Sequence, residues 1–327
     1  MKSDIGMRKT TIYLLPIVIV LLSACSERLE RLDDDSTFIS LCASVNDAAI
    51  DTRAASQAKP FRGTVATDEY PLDAKVLFST EKGVYRHSPV SPTYLPCHSK
   101  VTFVDDTYKY PEKYNGFNLK YPIDNSTVYC VGMSPADGEW VISDDGKYAT
   151  HPIDGNDDLM FAACEEGTWS DHFEPHLYKH QLTWLKLCVY ATDPDAEAFW
   201  GKIESLSVKS KAGIVMSLDD GSATFDTTIR LISAYEGDYQ LTTTLCEIGS
   251  IFCSPEVEYD ITVNTKKYGE RTISVKLKDL QGNNLQSADE AVGNLYVIEL
   301  GFTPFAIIEG NCVLNPWNYQ DENLYLK

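Results

Sequence analysis

The chain has nine cysteines, yet no two are spaced Cys-x-x-Cys. Without close thiolate pairs there is no ligand set for a structural zinc. Gly-x-Ser-x-Gly, His-Glu-x-x-His, a phosphate-cradling glycine loop and a dinucleotide fingerprint are all missing as well. With 48 acidic residues, any two carboxylates chosen as an acid–base pair would be arbitrary. The expectation is a protein that is not an enzyme and uses no metal and no cofactor. Basic residues are also scarce, 28 against 48 acidic ones, for a net charge of −20. That balance excludes a nucleic-acid partner, whose phosphates demand a basic face. It equally opposes charge-driven adhesion to anionic lipid. Its plain consequence is solubility.

Long apolar runs are limited to one, Ile12 to Leu22, preceded by Arg8 and Lys9. It is shorter than the roughly 20 residues that span a bilayer comfortably. A basic start, a short apolar stretch and small residues before a cut are the parts of a secretory signal. The stretch ends in Leu22-Ser23-Ala24-Cys25, which closely resembles the bacterial lipobox, so Cys25 is the expected site of lipidation. Translation from Met7 would give a more typical signal than translation from Met1. More than one acyl chain suffices for stable anchoring. Residues 26–36 are polar and acidic, as befits a solvated tether.

About 290 residues remain beyond the tether, enough for two domains at ~150 residues each. Their pattern has period two, not the helical 3.6. Ile39, Leu41, Ala43 and Val45 share one side of an early segment; Tyr259, Ile261 and Val263 do so later, then Ile273, Val275 and Leu277, and then Tyr296, Ile298, Leu300 and Phe302. Leu182 to Tyr190 is apolar on both sides, as a central strand would be. Turn signals separate the runs: Asp137-Gly138, Asp145-Gly146, Asp154-Gly155, Asp220-Gly221, Glu236-Gly237 and Gly282-Asn283-Asn284. A single short helix is expected over Asp195–Trp200, after Pro194. These features predict an all-β protein of β-sandwiches. Polar residues 165–181 interrupt the strand pattern and place a boundary near residue 175. The expected organisation is 1–25 signal, 26–36 tether, 37–175 N-terminal sandwich and 176–327 C-terminal sandwich. The eight cysteines other than Cys25 either pair as disulfides or serve as small buried hydrophobes.

Three clusters could carry binding. His172, Glu174, His176 and His180 have metal-ligand residue types, but strand spacing would hold His176 and His180 ~13 Å apart, too far for one ion, and a solvated segment is expected. Asp154 to Glu165 matches an acidic calcium loop in length but has Leu159 where the sharp turn needs glycine, so an acidic turn is expected. Tyr108, Tyr110, Tyr114, Phe117 and Tyr121 form an aromatic run interleaved with lysine and proline. Such rings either pack along strand edges or stack on a sugar or protein partner. The second use would make the chain a lipid-anchored surface glycan-binding protein, with Tyr108, Tyr110 and Tyr114 as ligand-binding residues.

Several segments in order carry a family resemblance: Asp51-Thr52-Arg53-Ala54 after a first strand, Phe61-Arg62-Gly63-Thr64 before Pro71 to Ser79, Leu119-Lys120-Tyr121-Pro122 before Val128 to Gly132, Asp158 to Ala162, His180 to Lys186, and Asn315-Pro316-Trp317-Asn318. In order and spacing after a lipobox they resemble the fimbrillin (type V pilin) family of anaerobic Gram-negative bacteria. The resemblance implies two tandem transthyretin-like (Ig-like) β-sandwich domains and delivery to the outer membrane and cell surface as a lipoprotein. It also implies cleavage after Arg53, leaving Ala54 as the new N-terminus, with Arg62 as a second possible cut. The strand then lost runs from Thr37 to Val45, with Ile39, Leu41, Ala43 and Val45 as its inward residues. A neighbouring subunit's strand fills the groove by β-augmentation; the C-terminal segment, with Leu324 and Leu326 on one face, is a candidate donor. The implied partners are other fimbrial subunits and the outer membrane through the lipid, with a host protein or glycan as adhesion ligand. Stalk, tip, accessory and anchor roles all remain open in the sequence.

Overall fold

The structure is a computed structural model that describes residues 39, 42–45, 73–86, 97–100, 102–104, 107–109, 121–136, 139–174 and 176–315. Its first strands are β1 (Cys42–Val45), β2 (Asp73–Ser79), β3 (Cys97–Lys100), β4 (Thr102–Val104) and β5 (Thr107–Lys109). They are followed by β6 (Val128–Ser134), β7 (Val141–Ile142), β8 (Tyr148–Pro152), β9 (Met160–Gly167), β10 (His176–His180) and β11 (Thr183–Ala191). Helix α1 (Pro194–Trp200) separates these from β12 (Lys202–Lys211), β13 (Gly213–Ser217), β14 (Ala223–Phe225) and β15 (Ile229–Gln240). The rest are β16 (Cys246–Cys253), β17 (Glu258–Thr265), β18 (Gly269–Lys276), β19 (Leu295–Phe302) and β20 (Ile307–Asn315), with a 3₁₀ turn over Ala288–Ala291.

The all-β expectation holds. One sheet has eight strands, in the order β3-β2-β6-β9-β10-β1-β5-β4. Three four-stranded sheets have the orders β14-β13-β8-β7, β16-β11-β19-β20 and β15-β12-β17-β18. The last two make a sandwich. Leu185, Leu187 and Val189 of β11 and Ile298 and Leu300 of β19 share a core with Leu206 and Val208 of β12 and Ile261 and Val263 of β17. The same apolar cluster takes in Val131, Met133, Leu159 and Phe161. Strand β8 pairs with β13, so this sheet draws on chain from both sides of residue 175.

Sequence pattern explains these strands locally. In β17 the buried residues are Tyr259, Ile261, Val263 and Thr265, alternating with less buried ones. As its two apolar sides require, β11 is central, antiparallel to β16 and parallel to β19. Helix α1 starts where Pro194 removes an amide that would be unpaired anyway, and the Asp193 carboxylate accepts from the Ala196 N–H at 2.7 Å. It ends at Gly201, and it buries Ala196 and Trp200. Asp145-Gly146, Asp154-Gly155 and Asp220-Gly221 are turns with the glycine at positive φ.

Two expectations change, and one open choice closes in part. Glu236-Gly237 is not a turn: it lies inside β15, where a register shift against β12 between Ile203 and Ser205 absorbs the extra chain. Residues 176–180 are not a solvated segment but strand β10, whose inward residues are buried. Of the two uses open to the cysteines, Cys130, Cys164, Cys188, Cys246 and Cys253 take that of free thiols, and three of these are buried as small hydrophobes.

Gly132 of β6 is fixed by packing. A Cβ there would lie 2.1 Å from the hydroxyl oxygen of Tyr178, which is fully buried on β10. Only a residue without a side chain lets the ring cross the sheet at that point. Gly132→Ala is expected to cost about 1–3 kcal/mol in urea unfolding. Adding Tyr178→Phe should recover part of that cost, since the hydroxyl is the nearest clashing atom.

Candidate functional site

Strand β1 has only four residues, and its place in the eight-stranded sheet is unusual. It runs parallel to β10, with Ala43 opposite His176, Ser44 opposite Leu177 and Val45 opposite Tyr178. On its other side it is antiparallel to β5, with Ala43 opposite Tyr108. Strand β4 follows β3, the partner of β2, after a single residue, and in hydrogen-bond order the β4–β5 hairpin lies beyond β1. Just upstream, Ile39 is 1% exposed, so the segment entering β1 is anchored in the core. Burying an isoleucine contributes about 1.5–3 kcal/mol.

The seat against which β1 lies is built by β10. Its alternation places His176, Tyr178 and His180 inward and Leu177 and Lys179 outward. Each buried polar group finds a specific neighbour, as burial requires. His176 Nε2 lies 2.8 Å from Cys130 Sγ on β6, and Phe173 stands edge-on to its ring at 6.2 Å. Tyr121 stacks on His172 and accepts from the Phe173 N–H at 3.1 Å, which fixes the chain entering β10. His180 Nδ1 lies 3.0 and 2.9 Å from the two carboxylate oxygens of buried Asp158. Across the outer edge, β9 continues the sheet with Lys179 opposite Phe161.

Burial pushes the His176 imidazole down to about 4 and the Cys130 thiol far up, so the pair is neutral at ordinary pH. Glu165, which faces Cys130 across β6 and β9, is pushed up by burial and by Glu174 and Glu166. The seat is the edge of β10, a strand whose inward polar side chains are met by Cys130 and Asp158, and it offers backbone pairing to a strand. Among the described residues no cluster of three or more His, Cys, Asp or Glu could hold a metal ion.

Of the residues singled out from sequence, Ile39 is buried, and Ala43 and Val45 lie in β1. Tyr108 lies in β5 at the register position facing Ala43. Tyr121, which closes the aromatic run, is core. Cys25, Leu41, Arg53, Ala54, Arg62, Tyr110, Tyr114, Leu324 and Leu326 lie outside the described residues. The partners of β10, Cys130 and Asp158, were missed. The only sequence signal for them was the alternation His176-Tyr178-His180, which a polar surrounding obscured.

No family model matches the chain, and no curated protein does. Among solved structures, a candidate cell adhesion protein of Bacteroides uniformis is similar over 88% of this chain and all of its own, at 14% identity and a TM-score of 0.56. A fimbrial protein of Bacteroides vulgatus matches at 11% identity and a TM-score of 0.44, covering 85% of this chain and 99% of its own. A fimbrial assembly protein of Parabacteroides distasonis matches at 9% and 0.40, again over 85% and 99%. At these identities the first likeness establishes a shared fold.

The buried imidazole gives a pH test. A histidine whose folded pKa is depressed stabilises the native state fully only above its unfolded value near 6.5. That contribution is lost as pH falls from about 6.5 towards 4, because the unfolded chain takes the proton and the native one does not. The loss should reach about 3 kcal/mol, at about 1.4 kcal/mol for each pKa unit. Glu165 titrates with the opposite sign, so the measurement compares wild type with His176→Gln. Urea midpoints at pH 7.5, 5.5 and 4.5 should fall more steeply for wild type; equal slopes would contradict the assignment.

Proposed function

We propose that this chain is a structural or adhesive subunit of a cell-surface fimbria, exported as a lipoprotein through Cys25 and assembled by exchange of its first strand. The observation that carries this reading is the seat of β1. A four-residue strand lies between β10, in parallel pairing, and β5, in antiparallel pairing. Its departure would leave an unpaired β10 edge, a template for another chain.

Cleavage after Arg53 supplies the means. While the chain is intact, covalent connection holds β1 at a high effective concentration beside its seat. After the cut, β1 is a separate segment, and a neighbour's strand with matching alternation competes on equal terms. Leu324 and Leu326 give the C-terminal segment that alternation. The likeness in fold to a candidate cell adhesion protein supports a surface role. The same reading places the precursor in the outer membrane by its acyl chains, needs no cofactor, and makes related subunits the principal partners. It asks nothing of catalysis.

In cells that export the protein, wild-type polymer should begin at Ala54, read by terminal sequencing of surface material. Arg53→Ala should leave full-length monomer and lose polymer, whereas Arg62→Ala should leave polymer intact. Undiminished polymer from Arg53→Ala would overturn strand loss at this position.

A further inference from the structure

Away from the seat of β1, three connections meet around an open polar cleft of about 360 Å³. They are the segment after β2, the β7–β8 turn and the β13–β14 turn. The cleft is lined by Glu81, Lys82, Lys147, Tyr148, Ser217 and Asp219. Its volume lies within the range of small-molecule sites.

The walls are tied together by backbone. The Tyr85 N–H donates to Gly146 O at 2.7 Å, and the Leu218 N–H donates to Lys147 O at 2.9 Å. Tyr148 and Ser217 are register partners on adjacent strands. Gly83 has φ 69°, and a Cβ there would lie 2.7 Å from the Cβ of Asp219. Any side chain at Gly83 would thus displace Asp219 from the wall. The cleft is a fixed feature of strand ends, and a ligand need not order it.

Its chemistry is selective. Two lysines balance two carboxylates, so the cleft carries no net charge within a chain of net −20. Among the described residues the charged ends of Glu81, Lys82, Lys147 and Asp219 form no ion pair. They can therefore offer donors and acceptors to a ligand. Tyr148 is 47% exposed, which leaves ring surface available beside them. Balanced charge disfavours phosphates and free acids, and the polar lining disfavours an apolar ligand. A neutral sugar fits: its vicinal hydroxyls pair with carboxylate and ammonium, and its slightly positive C–H face lies on the negative face of an aromatic ring.

We infer that this cleft is a binding site for neutral pyranose sugars. The inference deepens the adhesive reading by naming a ligand class and its position, and it moves the site from the Tyr108–Tyr114 run to Tyr148. It is read on the purified full chain, where export, cleavage and polymerisation play no part. Its failure is therefore separate from failure of the fimbrial reading.

The test is saturation-transfer NMR with glucose, galactose, N-acetylglucosamine, lactose and, as the anionic arm, N-acetylneuraminic acid. At least one neutral sugar should receive saturation and titrate to a plateau. Tyr148→Ala and Asp219→Ala should weaken it at least tenfold, and Tyr148→Phe, which keeps the ring, less than threefold. Unchanged circular dichroism and melting temperature would establish that the variants fold. Transfer to none of the neutral sugars, to the sialic acid alone, or equally to Tyr148→Ala would overturn the assignment.

Discussion

The parallel pairing of β1 with β10 is the constraint on which the rest of this reading depends. Ala43, Ser44 and Val45 face His176, Leu177 and Tyr178, and the β4–β5 hairpin attaches beyond them. Parallel neighbours cannot be joined by a tight turn and must be brought together over a long stretch of chain. Here the partners are separated by more than a hundred residues of sequence, so β1 can leave without unravelling a hairpin of its own. The chain between β1 and β2 contains Arg53, the proposed cut.

The seat persists because its own partners lie behind it and not in β1. His176 meets Cys130, His180 meets Asp158, and Tyr178 enters the space that Gly132 leaves open. These contacts run from β10 to β6 and to the chain between β8 and β9. None of them involves a residue of β1. The proposed exchange would need such a seat to keep its shape for an incoming strand, since preorganisation lowers the cost of capture.

Much of this was legible in sequence. Period-two runs marked β17 and β19, the doubly apolar run at Leu182–Tyr190 marked a central strand, and Pro194 marked the start of α1. Strand β10 escaped because its inward residues include two histidines. Imidazole reads as polar until a buried thiol or carboxylate is found to satisfy it, and those partners lie 46 and 22 residues away. Gly237 read as a turn because a glycine after an acidic residue is the usual turn signal. The same pair serves equally well at a bulge inside a long strand such as β15. The cleft at Tyr148 was invisible for a different reason: its residues come from three separate connections, and none is unusual in its own segment.

Strand exchange at this seat can be measured directly. A chain beginning at Ala54 would be mixed with a peptide of residues 37–45, and binding followed by calorimetry and by melting temperature. The account predicts saturable binding with a stoichiometry of one, a higher melting temperature, and competition by a peptide of the C-terminal segment. A truncated chain that melts like the full one and ignores the peptide would show that β1 contributes nothing replaceable, and would contradict the account.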